Sequence, residues 1–428
     1  MRLGCQASGL AMCCLALFMT AGASFAQGVA ARSSQTLEEG AGQPEHANMN
    51  MNAGWQVMQD AVLFAEFNHQ GGTTRGGNEL FAPNWWMGMA SRNTSRGRLT
   101  LTGMFSLDPA TVGKDGYREI FQIGEALDGR PLIDRQHPHD LFMQLAAMWR
   151  IPINSSTGLT LAGGPAGEPA LGPVAFMHRA SAADNPTAPL GHHTFDSTHI
   201  SFGVLTAALD HGPWVVEGSV FNGREPDESR WNFDFGRLDS FSGRVWFRPS
   251  SEWELQASTG HLQNPEQLEP GNVERSTVSA AWTRRNATDI SSVTIGYGRN
   301  DTDHGARNAI FVEGADHVGL NTFYGRFEGV QVETALLQTG VVVEGLAAGV
   351  KDRVFAVTVG GVRDVQIAGF QAGLGADATF YGVPDSLQSA YGRHPVSFHV
   401  FFRLRPPAGS MGRMWNMRMS QPMAGHQM

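Results

Sequence analysis

Two short stretches gather side chains able to do chemistry. GHHTFDSTH carries His192, His193, Asp196 and His199. Of these, His193, Asp196 and His199 could share a divalent ion if the segment folds back on itself, although their spacing matches no standard zinc signature. DRQHPHD carries Asp134, Arg135, His137, His139 and Asp140 just ahead of an apolar run. Imidazoles there would titrate near neutral pH or bind metal, and Pro138 suits an ordinary capped turn equally well. A third concentration closes the chain, where MGRMWNMRMSQPMAGHQM holds Met411, Met414, Met417, Met419, Met423, Met428 and His426. HANMNM, near the start, adds His46, Met49 and Met51. Thioethers and imidazoles without a thiolate suit soft ions, Cu(I) and Ag(I) first. A biased, unstructured tail without a ligand is the plainer reading of the same composition.

Covalent catalysis finds little support. Neither G-x-S-x-G nor H-E-x-x-H occurs, so the nucleophile elbow and the metalloprotease helix are both missing. Ser197, His199 and Asp196 are a poor triad, because adjacent residues on a strand point to opposite faces. A hydrolase is therefore a third choice behind two non-enzymatic readings.

The elements that must position these residues read as strands. Between Ser242 and Gly260 apolar side chains recur at every second position and reverse at a short turn. Phe241, Gly243, Val245 and Phe247 share one face; Ser242, Arg244, Trp246 and Arg248 share the other. A period of two around a tight turn is a hairpin. The pattern repeats from end to end and predicts about sixteen strands. They fall near 59–69, 84–91, 97–107, 139–151, 158–164, 199–208, 213–222, 239–248, 252–262, 273–284, 289–299, 307–314, 319–333, 352–361, 365–376 and 395–404.

Connections alternate in length. SRNTS, PINSST, DHGP, PSS, RNAT, GADH and VRD are short. Those near 70–83, 108–138, 165–198, 223–238, 263–272, 300–306, 334–351 and 377–394 are long. A soluble sandwich has no reason to sort its loops by parity, whereas a membrane barrel has short periplasmic turns and long external loops. Arg98, Glu217, Arg244, Arg248, Glu252, Glu254, Arg275, Arg326, Glu328 and Arg403 lie on the polar face and would line a wet lumen, while Trp85, Trp86, Trp149, Trp214, Trp253, Trp282 and Tyr297 would suit interfacial girdles.

Bulk properties agree. Residues 1–26 combine Arg2, an apolar run and Ser24-Phe25-Ala26, the pattern of a cleaved export signal. All three cysteines, Cys5, Cys13 and Cys14, lie inside it, which leaves no disulfide and no thiolate site in the exported part. A formal net charge of −9 argues against nucleic-acid binding. After the signal no apolar run reaches the roughly 18 residues a membrane helix needs. The division is then 1–26 signal, 27–57 polar lead, 58–405 barrel and 406–428 Met/His-rich tail, with lead and tail both in the periplasm.

On this architecture, over nearly the whole mature length, the chain resembles a Gram-negative outer-membrane β-barrel of the porin-like kind. Its Met/His-rich segments are also similar to those of CopB-type copper-resistance barrels, which carry theirs chiefly ahead of the barrel, whereas here the richer one follows it. The first resemblance implies an all-β, up-and-down antiparallel barrel in the outer membrane. It would be a passive channel for small polar solutes or ions, with no catalytic residue and no required cofactor. Outer-membrane lipid, the solutes themselves and the barrel-assembly machinery would be its partners, and oligomers are open to it. The second implies metal homeostasis, with Cu(I) held by the termini.

Overall fold

A computed structural model describes residues 54–407 and 413–421, apart from 124, 268–270, 287–288, 304 and 340–349. The export signal, most of the polar lead, and His46, Met49, Met51, Met411, Met423, Met428 and His426 lie outside the described residues.

Sixteen antiparallel strands close into one barrel. In chain order they are β1 (Gln56–Gln70), β2 (Gly77–Phe81, continued by Asn84–Thr94), β3 (Gly97–Phe105), β4 (Phe142–Asn154), β5 (Thr157–Gly167) and β6 (Ser201–His211). Next come β7 (Trp214–Phe221), β8 (Ser240–Ser250), β9 (Trp253–Leu262), β10 (Val273–Arg285) and β11 (Ile290–Thr302). The last five are β12 (Gly305–Val318), β13 (Asn321–Glu333), β14 (Lys351–Ile367), β15 (Phe370–Gly382) and β16 (Val396–Arg405). Both parts of β2 pair with β1, so the break at Ala82-Pro83 interrupts one strand and does not add another. Pairing of Leu63–His69 with Phe398–Leu404 shuts the ring. Closure leaves no unpaired edge, as hydrocarbon surroundings require.

Burial is inverted relative to a soluble protein. Phe241 is 58 % exposed and Val245 37 %, while Arg244 between them is 2 % exposed. The same holds on β11, where Val293, Ile295 and Tyr297 face out and Ser292 and Thr294 face in. An outward apolar band with charges inside is stable only when lipid surrounds the barrel. Trp214 stacks on Phe247 at 4.4 Å, and Trp253 is the register partner of Trp282. Both pairs sit beside short turns, as a girdle would. Trp85 departs from that expectation; it faces inward and packs edge-on against His178 at 5.2 Å.

Three connections differ from the sequence expectation. GADH lies within β12, and the turn comes later, at Gly319-Leu320. VRD lies within β14, and the chain reverses at Ala368 and Gly369, both at positive φ (50° and 84°). Two left-handed residues match the strand twist in a two-residue hairpin, so backbone conformation overrode the polar triplet that looked like a turn. The long loop expected at 300–306 shrinks to Asp303 and residue 304 between β11 and β12. Elsewhere the alternation of long and short connections holds.

The lumen is filled. Loop 168–200 folds inward, and its residues 171–190 are all buried. Loop 106–141 joins it, carrying two small ribbons, Tyr117–Arg118 with Arg135–Gln136 and Glu125–Leu127 with Arg130–Leu132. Residues 413–421 enter as well. Arg413 bonds Asp60 at 3.0 Å, Asn416 N donates to His178 O at 2.6 Å, and the Arg418 guanidinium lies 3.6 Å from the Trp246 ring centroid. The described part of the tail is therefore not a free periplasmic segment.

The wall charges are correspondingly spent. Arg244 bonds Glu217 at 2.7 Å and Glu168 of the inserted loop at 3.1 Å. Arg326 pairs with Glu313 at 3.2 Å. Arg403 binds Asp364 at 2.8 Å and also Asp184 of the loop. Glu328 accepts from Gly191 N at 3.4 Å, and Arg275 donates to His193 O at 2.6 Å. Arg248 and Glu254 pair at 2.6 Å, and Arg418 reaches Glu254 at 3.4 Å. These side chains are buried or half-buried, and protein rather than open water meets most of them. Arg98 and Glu252 differ again. The first bonds Gln56 at the short-turn end, and the second sits on a turn and accepts from Trp282. Isolated charges are costly to bury, which is why most of the charged side chains in a filled lumen are paired.

Candidate functional site

The two histidine segments, far apart in sequence, meet inside the plug. His192–Phe195 is one helical turn, followed by a 3-10 turn at Ser197–His199. Asp196 breaks the helix between the two turns (φ −142°) and gathers both rings, its carboxylate meeting His192 and its carbonyl His199, while His193 points elsewhere. Loop 106–141 brings His137 and His139 opposite them. Four imidazoles then close a quadrilateral. Ring centroids are 5.3 Å apart for His192 and His199, 5.6 Å for His199 and His139, 6.4 Å for His139 and His137, and 5.8 Å for His137 and His192. Phe176 borders the ring, 5.6 Å from His192.

Each ring is pinned through Nδ1. His192 Nδ1 meets Asp196 Oδ1 at 2.8 Å, and His139 Nδ1 meets Asp108 Oδ2 at 2.8 Å. His199 Nδ1 donates to the Asp196 carbonyl at 2.7 Å, and His137 Nδ1 to the Pro138 carbonyl at 3.2 Å. A carbonyl only accepts, so in these last two rings Nδ1 carries the hydrogen and neutral Nε2 keeps its lone pair. Nε2 of His137, His192 and His199 is buried without a hydrogen-bond partner; His137 Nε2 passes 3.3 Å from Glu125 Oε1 but lacks hydrogen-bond geometry. Burial lowers the affinity of all three rings for a second proton, and for His199 the His192 and His139 rings add to it. In His192 burial outweighs the raising effect of Asp196.

Asp196 is an orienting group. Its Oδ2 accepts from Phe176 N at 2.9 Å and Arg179 Nη1 at 2.8 Å, so its carboxylate is fully occupied. Burial opposes its charge, but Arg179 and the facing histidines prevail and hold it far below the usual carboxylate range. His193 turns away to Glu225 at 3.3 Å. Burial would lower its imidazolium, but Glu225 and, more weakly, Glu266 and Glu125 raise it to about 9. His193, Glu225 and Glu266 bring three ligand atoms within 4.8 Å of one another. Beside them lies a cavity of about 230 Å³ lined by Glu125, Arg224, Glu225, Asp227 and Glu266, among others, all on long loops. Ser197 Oγ accepts from Arg275 Nη1 at 3.0 Å and makes no bond to His199, which removes the weak triad.

No protein-family model and no curated protein sequence matches the chain. Solved structures do. OprB of Pseudomonas putida aligns over 83 % of this chain and 94 % of its own, at TM-score 0.50 and 9 % identity. OmpF of Salmonella typhi, in complex with daunomycin, aligns over 81 % and 97 %, at TM-score 0.47 and 8 % identity. An anion-selective porin from Comamonas acidovorans aligns over 82 % and 100 %, at TM-score 0.45 and 10 % identity. Identity this low speaks to fold. The chain has the fold of a porin-like outer-membrane β-barrel.

Within this porin-like barrel the sequence-derived ligand sets are rearranged. Of the expected trio, His199 stands beside His192, His193 turns to Glu225, and Asp196 is taken up by His192 and Arg179, while His137 and His139 join from the second stretch. Of the tail methionines, Met414 and Met417 are buried in an apolar cluster with Met87, Met89, Met104, Met143 and Met177, and Met419 packs with Met148. They fill gaps between plug and wall, a task unbranched thioethers suit. Glu225 and Glu266 were missed; nothing in their sequence surroundings marks them, and only the clustering of loops beside His193 does.

Proposed function

We propose that the protein is an occluded outer-membrane channel, in which ions or small polar solutes pass only when the inserted segments shift. One observation carries this reading, namely that residues 171–190 are buried without exception and tied to opposite walls. Gly172 N donates to Ser258 on β9 at 2.9 Å, while Asp184 pairs with Arg403 on β16, nearly half the ring away. An aqueous path through a barrel this wide requires that loops leave it free. No catalytic step belongs to this reading.

Planar-bilayer recording tests it. The folded parent should show no steady porin-sized steps, and a variant with 171–190 replaced by a short Gly/Ser linker should show them. Steady large conductance in the parent would refute occlusion.

A second reading keeps soft-metal homeostasis, with Cu(I) or Ag(I) bound by the terminal Met/His segments. It draws on the composition of those segments. Titration of the Ser410–Met428 peptide with Cu(I) against a chromogenic chelator decides it, and affinity weaker than micromolar would end it.

A further inference from the structure

We propose that His137, His139, His192 and His199 form a transition-metal site inside the plug, binding a divalent ion of the Zn(II) or Cu(II) class through their Nε2 atoms. The site does not depend on whether the barrel conducts.

Its first support is the direction of the hydrogen bonds. Here all four rings spend Nδ1 on a carboxylate or a backbone carbonyl, at 2.7–3.2 Å. That is how proteins orient histidine ligands, because it fixes the tautomer and turns Nε2 to the metal. Nε2 of His192 and of His199 is buried and unpartnered, that of His137 has only the Glu125 carboxylate 3.3 Å away, and His192 is wholly buried. Orphan nitrogens gathered in one cluster call for a partner that is not protein.

Spacing is the second support. With Zn–N near 2.0–2.1 Å and tetrahedral angles, bound imidazole centroids stand about 5.2 Å apart. The pairs His192–His199 and His199–His139 are at 5.3 and 5.6 Å. The other two sides are wider, 5.8 and 6.4 Å, and among the described residues only His193, Glu225 and Glu266 already bring three ligand atoms within 4.8 Å of one another, so the four rings must draw together around an ion. His137 and His139 flank Pro138 on one loop, and the other two stand on consecutive short turns of the second loop. An ion would therefore staple the two inserted loops together.

Charge is the third. Asp108 has His139 as its one ion-pair partner among the described residues, so a carboxylate sits behind the ring to balance an added cation. The acidic cavity beside His193 lies among the long loops, next to His192 and His137, whose centroids are 5.3 and 5.7 Å from that of His193. It offers a cation an approach from outside. The trio His193, Glu225 and Glu266 is more tightly gathered, but His193 is already ion-paired to Glu225 there. All-imidazole donors without sulfur suit zinc, copper and nickel rather than Mg(II) or Ca(II).

The test uses the full mature chain refolded in detergent and stripped of metal. Titration with Zn(II), and with Co(II) as a spectroscopic stand-in, should reach one ion per chain, with d–d bands of a nitrogen-ligated, near-tetrahedral centre. H192Q/H199Q should weaken binding at least 100-fold, and D108N by 10–100-fold, the usual effect of losing an orienting partner. E225Q/E266Q should leave affinity within a few fold. Heat-modifiable gel mobility checks that each variant is folded. X-ray absorption on zinc-loaded parent protein needs no variant and should give a first shell dominated by imidazole nitrogen. Absence of binding tighter than micromolar in the folded parent would overturn the proposal. So would binding undiminished in H192Q/H199Q, which places the ion on the terminal segments, or binding lost only in E225Q/E266Q.

Discussion

Arg179, midway along the inserted loop, holds Glu313 on the barrel wall through an Nε–Oε1 bond of 2.6 Å, and both side chains are buried. The same guanidinium reaches Asp196 at 2.8 Å. One side chain thus connects wall, plug and the carboxylate that aims His192. Breaking one partner of a buried ion pair typically costs about 3–5 kcal/mol, because the other charge is left uncompensated. R179M should detach residues 171–190 without dissolving the barrel. Limited proteolysis should then cut inside that segment while the heat-modifiable band persists; an uncut loop would show that Arg179 is dispensable.

Asp134 supplies a pH dependence. Burial pushes its carboxyl from 3.8 up to about 6, despite the Phe121 amide, the Tyr391 hydroxyl and Arg75 pulling it down. The folded state therefore holds a proton between roughly pH 4 and 6 that the unfolded chain has lost, so stability falls as pH rises across that window. The penalty above pH 6 is at most about 3 kcal/mol, from about two pKa units. Asn accepts the same amide and tolerates the positive φ of 57° at this position. D134N should unfold at a higher temperature than the parent at pH 7.5 and at about the same temperature at pH 4. Equal melting at both values would contradict the burial argument.

Gly172 is where the inserted loop passes closest to the histidine turn. Its φ is +81°, and a Cβ there would stand 2.1 Å from the Phe195 carbonyl oxygen. Backbone cannot yield as a side-chain tip does. G172A should displace the turn carrying His192 and increase hydrogen exchange at 191–199, leaving exchange in β11 and β12 unchanged. Protection identical to the parent would exclude the contact.

Ile295 lies mid-strand on the outward face of β11 and is 53 % exposed. An arginine near the bilayer midplane costs about 2–4 kcal/mol in such barrels. I295R should lower folding yield into lipid vesicles and reduce the unfolding free energy by that amount. The control S292R, on the inward face, should disturb plug packing instead. An I295R variant that folds into lipid as readily as the parent would put that face somewhere other than in hydrocarbon.

The residues from Phe241 to Arg248 determined their own strand, their own two faces and, repeated along the chain, the barrel and its membrane. That information is local: side chains alternate with a period of two wherever the backbone is extended, and alternation plus loop parity needs no tertiary contact to be read. The exact turns were less legible. Ala368-Gly369 reverses the chain through left-handed backbone, and neighbouring polar residues imitate a turn without making one. What only tertiary structure decided is what fills the lumen. Arg244, Arg326 and Arg403 read the same whether they meet water or Glu168, Glu313 and Asp184, because the partners come from segments up to 219 residues away. Met414 and Met417 looked like solvent-exposed thioethers and became packing. His139 and His192 stand in separate loops, and no periodicity links them; their meeting was decided by how two long connections share one enclosed space.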